Sequence, residues 1–189
     1  MIIYLSRHGQ SEYNLENKIG GDSNLSKDGE LYSKKLEEYI KYNKNMIPTK
    51  CITSTKKRTI QTTNYLKNHM IIENLKCLDE INAGIAENMT YNEFKNIYPD
   101  EYEKRKNNKL TYKYPNDGES YIDLILRTKQ FCDKIIEKKE DVLIISHQAI
   151  TRALIYHFCK IDILKVPEIE IPLHKILVIK NLKYEIITP

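Results

Sequence analysis

Val142-Leu143-Ile144-Ile145 is an apolar run with no polar alternation. A strand with one wet face alternates, so such a run belongs at the centre of a parallel sheet covered on both sides. The flanking stretches supply the covering helices. Before it, Tyr121, Leu124, Ile125, Thr128, Cys132, Ile135 and Ile136 recur at i, i+3, i+4 and i+7 spacing, which predicts an amphipathic helix with Cys132 in the core. After it, Ile150, Ala153, Leu154, His157 and Phe158 mark one face of another helix.

The rest of the chain continues this alternation. Ile2-Ile3-Tyr4-Leu5 reads as a buried strand that Gly9 can break into a tight loop. Tyr13 to Ser26, rich in Asn, Gly, Asp and Ser, reads as a long loop, and its departure from the first strand exit favours a functional role. Ser26 caps a helix to about Tyr42, with Tyr32, Leu36, Tyr39 and Ile40 on its apolar face. Lys50 to Ser54 is a short strand, and Thr55 to Thr62 turns into a helix ending near His69. A weak strand at Ile71 to Leu78 leads into Asp79-Glu80-Ile81-Asn82-Ala83-Gly84.

Thr90 and Glu93 form a capping box for a helix that stops before Pro99, and a shorter helix covers Glu101 to Lys106. Leu110 to Gly118 is loop; Ile176 to Ile179 and Tyr184 to Ile187 close the chain as an antiparallel pair. The expected fold is α/β, three layers with a mostly parallel central sheet, in one domain spanning residues 1–189.

A net charge of +4 suits a small anionic substrate. Without a clustered basic patch it does not indicate nucleic acid. The lysine pairs Lys34-Lys35, Lys56-Lys57 and Lys138-Lys139 read as solvated faces. Cys51, Cys77, Cys132 and Cys159 lack metal-ligand spacing and read as reduced, mostly buried thiols. No apolar run approaches 18 residues and no basic leader precedes one, so no membrane association is expected and the cytoplasm is the expected compartment.

The chemistry concentrates at strand exits. Ser6-Arg7-His8-Gly9 follows the first strand and Ser146-His147-Gln148 follows the apolar run. Open α/β sheets bind ligands at the carboxyl ends of their strands. Neighbouring strands would therefore bring His8 and His147 to one rim beside Arg7. Alone, Arg7-His8-Gly9 is equally well a turn with chance polar residues. Arg58 falls in the first turn of its helix, where an anion is favoured, although an ordinary surface arginine competes with that reading. His69 reads as a partner of the helix dipole and His157 as a core or helix-end histidine.

Such a pocket suits phosphoryl transfer, in which catalysis is mainly positioning and charge stabilisation. His8 would attack phosphorus as a neutral imidazole and form a phosphohistidine that water then cleaves. Glu80, with its pKa raised beside a bound phosphate, would protonate the leaving alkoxide. Neither a metal nor a cofactor is required.

Arg7-His8-Gly9, Ile19-Gly20-Gly21-Asp22-Ser23, Lys57-Arg58-Thr59-Ile60-Gln61-Thr62, Met89-Thr90-Tyr91, Gly118-Glu119-Ser120-Tyr121, His147-Gln148-Ala149 and Pro172-Leu173-His174 together resemble the histidine phosphatase superfamily. This is the phosphoglycerate mutase-like fold. Within it, the chain looks most like the fructose-2,6-bisphosphatase domain of the bifunctional 6-phosphofructo-2-kinase/fructose-2,6-bisphosphatases, from Tyr4 to about Leu177.

The resemblance implies that His8 is phosphorylated, that Arg7, Arg58 and His147 hold the transferring 2-phosphate, and that Glu80 is the acid. It implies that Asn14 and Gly20 line the same pocket, with Gln148 following the second histidine. The sugar and its 6-phosphate would meet Tyr91, Arg105, Lys109, Tyr121 and Arg152. Taken singly, each of these is as readily a surface ion pair.

Asn116-Asp117 makes the Pro115-to-Gly118 stretch one residue longer than the family spacing. The P-loop pattern is absent, so a 6-phosphofructo-2-kinase domain could accompany this chain only elsewhere in a longer parent. Two alternatives stand beside the bisphosphatase: a mutase or broad sugar-phosphate phosphatase of the same superfamily, and a non-catalytic scaffold module.

Overall fold

The computed structural model describes residues 1–43 and 47–189. β1 (Ile3–Arg7), β2 (Lys50–Thr53), β3 (Ile71–Asn74) and β4 (Val142–Ser146) are mutually parallel, and β5 (Ile176–Lys180) and β6 (Lys183–Ile187) add an antiparallel pair. The sheet order is β3-β2-β4-β1-β5-β6. β4 is buried on both faces, which is why its sequence does not alternate.

Side chains of one strand point to opposite faces, and the core divides accordingly. Ile3, Leu5, Val142 and Ile144 pack with α6 (Tyr121–Lys138) and α7 (Gln148–Cys159). Tyr4, Leu143 and Ile145 pack with Tyr32, Leu36 and Ile40 of α2 (Lys27–Tyr42). A third cluster of Ile19, Ala83, Ala86, Phe94 and Tyr114 sits under α4 (Tyr91–Ile97) and α5 (Pro99–Asn107), which form a cap beyond the sheet.

Ser26, Thr90 and Ser120 cap the helices they precede, with Glu93 and Asp123 completing capping boxes at the latter two. Several expectations are corrected. The loop after His8 contains a one-turn helix, α1 (Glu12–Leu15), whose Ser11–Asn14 capping box lacks the Glu or Gln that usually advertises one. The helix carrying Arg58 is only α3 (Lys57–Thr62) and continues as a 3-10 turn, Asn64–Asn68. Thr62 and Thr63 turn their hydroxyls onto the carbonyls of Arg58 and Ile60 at 2.7 and 2.8 Å, a back-bonding that disfavours a continuing α-helix.

The strand before Asp79 stops at Asn74, and a 3-10 turn takes Lys76–Leu78. Ile136 is 40% exposed, at the margin of the apolar face of α6, while Cys132 is buried. Of the two tyrosines placed in the core of α2, Tyr32 is buried and Tyr39 half-buried. His69 is exposed and bound to Glu37 at 2.8 Å.

Candidate active site

β1 and β4 are neighbours in register, with Arg7 opposite Ser146. The His8 N–H donates to the Ser146 carbonyl at 2.9 Å, and the His8 and His147 rings lie 5.2 Å apart between centroids. Two histidines 139 residues apart in sequence are thereby brought to one strand end. His8 is 2% exposed, Arg58 4% and His147 fully buried.

His8 Nδ1 lies 2.7 Å from its acceptor, the Gly9 carbonyl, and Arg58 Nε donates to His8 Nε2 at 3.1 Å. A carbonyl can only accept, so the hydrogen sits on Nδ1 and the lone pair on Nε2. Burial, then Arg58 and Arg7, hold the His8 pKa well below its ordinary 6.5, so the ring is neutral near pH 7. Burial and the same cations, with His8, do the same to His147.

Arg58, which could have been a surface residue, is instead turned inward. Its Nη1 donates to the Gly21 carbonyl at 2.9 Å. His147 Nε2 is 2.7 Å from Ser54 Oγ, and its Nδ1, like Arg7 Nε, is buried without a partner among the described residues. Thr62 Oγ1 accepts the Gly9 N–H at 3.0 Å, bracing the turn after His8.

Glu80, half-buried, accepts from the main-chain N–H groups of Ile81 and Ala149 at 3.0 and 3.2 Å. Ala149 is in the first turn of α7, so these bonds tie Glu80 to the start of the helix that follows His147.

These groups open into a cavity of about 300 Å³. Twelve of the thirteen residues singled out in the sequence line it: Arg7, His8, Asn14, Gly20, Arg58, Glu80, Tyr91, Arg105, Lys109, Tyr121, Gln148 and Arg152. His147 is the exception, fully buried with its ring centroid 5.2 Å from that of His8. Six cations, Arg7, Lys18, Arg58, Arg105, Lys109 and Arg152, and one carboxylate, Glu80, line the cavity; Lys18, Arg58 and Lys109 also meet Glu16, Asp22 and Glu168 outside the lining. That imbalance suits a polyanion.

The outer part of the cavity is held mainly by side chains, with one main-chain carbonyl at Arg152. Arg105 Nη2 donates to the Tyr91 hydroxyl at 3.1 Å, its Nε donates to Tyr114 Oη, and its guanidinium lies 5.0 Å from the Tyr91 ring centroid. Arg152 donates to Tyr121 Oη at 2.6 Å and to the Ile169 carbonyl at 2.7 Å. Lys109 Nζ pairs with Glu168 at 3.0 Å. The additional residue in the loop is accommodated by left-handed backbone at Asn116 and Asp117, and Tyr121 still reaches the cavity.

Ser11, Tyr13, Lys18, Tyr112 and Tyr114 also line the cavity, unmarked by motif reasoning. The alternation of Lys and Tyr over residues 111–114 was the only local signal for the last two. Asn14 has a second use, closing the capping box of α1 through the Ser11 N–H at 3.0 Å.

The family model of the histidine phosphatase superfamily (branch 1) matches residues 3–185. Fructose-2,6-bisphosphatase of Saccharomyces cerevisiae is 42% identical over 182 residues, 96% of this chain and 39% of that protein. 6-Phosphofructo-2-kinase/fructose-2,6-bisphosphatase of Arabidopsis thaliana is 42% identical over 94% of this chain and 24% of its own length. The chain thus spans well under half the length of these relatives.

Among solved structures, the alpha-ribazole phosphatase of Shigella flexneri superposes with a TM-score of 0.85 at 16% identity, covering 100% of this chain and 95% of that one. A mycobacterial glucosyl-3-phosphoglycerate phosphatase superposes with a TM-score of 0.81 at 17% identity, covering 98% and 96%. At such identities these two bear on the fold alone. With a family match over nearly every residue and this phosphoglycerate mutase-like α/β/α architecture, the chain belongs to the histidine phosphatase superfamily.

Proposed function

We propose that this chain is a phosphatase that removes the 2-phosphate of fructose 2,6-bisphosphate, giving fructose 6-phosphate and inorganic phosphate through phospho-His8. The observation that carries the reading is two cationic zones in one cavity: a floor of half-buried Arg7 with buried His8 and Arg58, and an outer cluster of Arg105, Lys109 and Arg152. A monophosphate needs only the first. Relatives named for this bisphosphatase activity, 42% identical over nearly the whole chain, support the same choice.

The transferring phosphate takes the Nε–H of Arg58 away from His8 Nε2 and engages the unpartnered Arg7 Nε. If Ser54 Oγ–H donates to His147 Nε2, the hydrogen of His147 stands on Nδ1 for another phosphate oxygen. His8 Nε2 then attacks in line. The N–P bond forms as the P–O bond to the sugar C2 oxygen breaks, and Glu80 protonates that oxygen. Water next attacks the phosphohistidine, giving its proton to Glu80 as the N–P bond breaks. Asn14, Gly20 and Gln148 shape the pocket around the phosphate, while Tyr91 and Tyr121 with the outer cations seat the sugar and its 6-phosphate.

The proposal extends to one phosphatase domain over residues 1–189, acting in the cytoplasm. A 6-phosphofructo-2-kinase domain in a longer parent chain fits the length of the relatives. No helix among the described residues is long and apolar enough to cross a membrane.

Incubation with fructose 2-[³²P],6-bisphosphate should leave acid-labile, base-stable label on the wild type and none on His8→Ala. Equal label on the variant refutes the nucleophile. Faster turnover of 2-phosphoglycerate primed with 2,3-bisphosphoglycerate would instead favour a mutase, and absence of turnover on every phosphorylated substrate would favour the scaffold reading.

A further inference from the structure

The 3-10 turn Gly84–Ala86 ends at Glu87, whose half-buried carboxylate is committed to main-chain donors from two different loops. Its Oε2 accepts the Gly21 N–H at 2.5 Å and its Oε1 accepts the Ala83 N–H at 2.7 Å. Ala83 lies three residues beyond Glu80. Gly21 carries the carbonyl that receives Arg58 Nη1 at 2.9 Å, and the same guanidinium reaches His8 Nε2 at 3.1 Å. One carboxylate therefore stands at the junction of the acid loop, the glycine turn, the arginine and the histidine.

Gly20 and Gly21 both have left-handed backbone, φ +65° and +63°. Main-chain bonds between Ile19 and residues 88 and 89 hold the chain up to Ile19, but they do not orient Gly21. A Cβ on Gly20 would lie 2.3 Å from both Glu87 carboxylate oxygens, so the carboxylate packs directly on the glycine Cα. Glu87 makes no ion pair among the described residues; its charge faces those N–H groups and supports the charged form of Arg58 against the cost of burial.

We propose that Glu87 is a positioning residue. By holding the Gly21 peptide it aims Arg58 at the phosphate and at His8, and by holding Ala83 it sets the Glu80 loop at a constant distance from them. The inference rests on the roles given to His8, Arg58 and Glu80 above. Two N–H donors facing one side chain require an acceptor at each of its ends. Glutamine offers one acceptor and turns its NH₂ toward the other donor, so Glu87→Gln is a nearly isosteric test.

Three measurements on Glu87→Gln and Glu87→Asp separate positioning from general stability: kcat and KM on fructose 2,6-bisphosphate, Kd for orthovanadate by calorimetry, and Tm. The expected result for Glu87→Gln is a kcat at least ~10-fold lower and vanadate binding at least ~10-fold weaker, the scale of one lost charge-assisted contact. KM should stay within about threefold, because the outer cations are untouched, and the variant should remain folded at the assay temperature. Glu87→Asp, which keeps two acceptors on a shorter stem, should recover part of the vanadate affinity. A Glu87→Gln protein with wild-type kcat and vanadate affinity overturns the inference, as does a loss of kcat matched by the fraction unfolded. Vanadate binding does not depend on the sugar. If wild type fails on fructose 2,6-bisphosphate, the substrate assignment fails and the vanadate arm still decides the role of Glu87.

Discussion

The floor and the outer part of the cavity are both cationic, but they are held in opposite ways. Below, His8 and Arg58 are buried, and their partners are the Gly9 and Gly21 carbonyls, each other and, for Arg58, the Asp22 carboxylate at 4.0 Å. Above, Tyr91 is 45% exposed, and Arg105, Lys109 and Arg152 are engaged largely by tyrosine hydroxyls and by Glu168. The Gly9 and Gly21 carbonyls are main-chain partners and cannot rotate away as a side chain does, whereas hydroxyls and a surface carboxylate can be exchanged for phosphate oxygens. The floor is organised before substrate arrives; the outer zone is a set of cations whose contacts a second phosphate can replace.

The sharpest way to break this contrast is to remove one arginine from each zone. Arg58→Ala should lower kcat by about 10²- to 10³-fold, as loss of a donor aimed at transition-state charge does elsewhere. Comparable kcat for the variant and wild type in stopped-flow phosphate release would show that the floor is not where charge is stabilised.

Acid should reach the floor first, through its buried histidines. His8 and His147 have pKa values depressed well below 6.5, so below pH 6.5 the unfolded chain binds protons that the native protein does not. Stability from these groups is complete above 6.5 and is lost as pH falls, with a limiting slope of about 2.7 kcal/mol per pH unit for two histidines. Urea unfolding at pH 5, 6, 7 and 8 should show midpoints falling below 6.5 and level above. A midpoint that does not change between pH 5 and 7 would mean the two rings are protonated in the folded protein.

Arg105→Ala should raise KM for the bisphosphate about 10-fold or more with kcat changed little, the cost of one charged hydrogen-bonding contact to phosphate. A fall in kcat equal to that of Arg58→Ala would merge the two zones into one. The smallest effect belongs to Glu168→Gln. The exposed pair with Lys109 is worth up to about 1 kcal/mol, so freeing the lysine should lower KM by less than about fivefold. An increase in KM would assign Glu168 itself to substrate binding.

How much of this was legible depended on whether the signal was local. Thr90 and Glu93 announce a helix because both partners of the capping box lie within four residues. α6 is legible because 3.6-residue periodicity repeats over five turns, and Ile136 misleads only because the apolar face has an edge. The early end of α3 is harder to see, since threonine hydroxyls act either as side chains or as competitors of the helix. Ser11 and Asn14 escape for a related reason: asparagine replaces the usual glutamate in their box.

By itself the sequence determined the layered α/β plan, because unalternating β-strands need helices on both sides, and it determined which residue types stand at the strand exits. It also carried the set of motifs that marks the superfamily. Only the tertiary structure decided that Arg58 turns inward onto His8, that Ser54 backs His147, that Glu168 holds Lys109, and that Glu87 joins Gly21 to Ala83. Each is a contact between residues from different parts of the chain. Their geometry follows from how the sheet registers and the cap packs, and no local pattern of side chains encodes it.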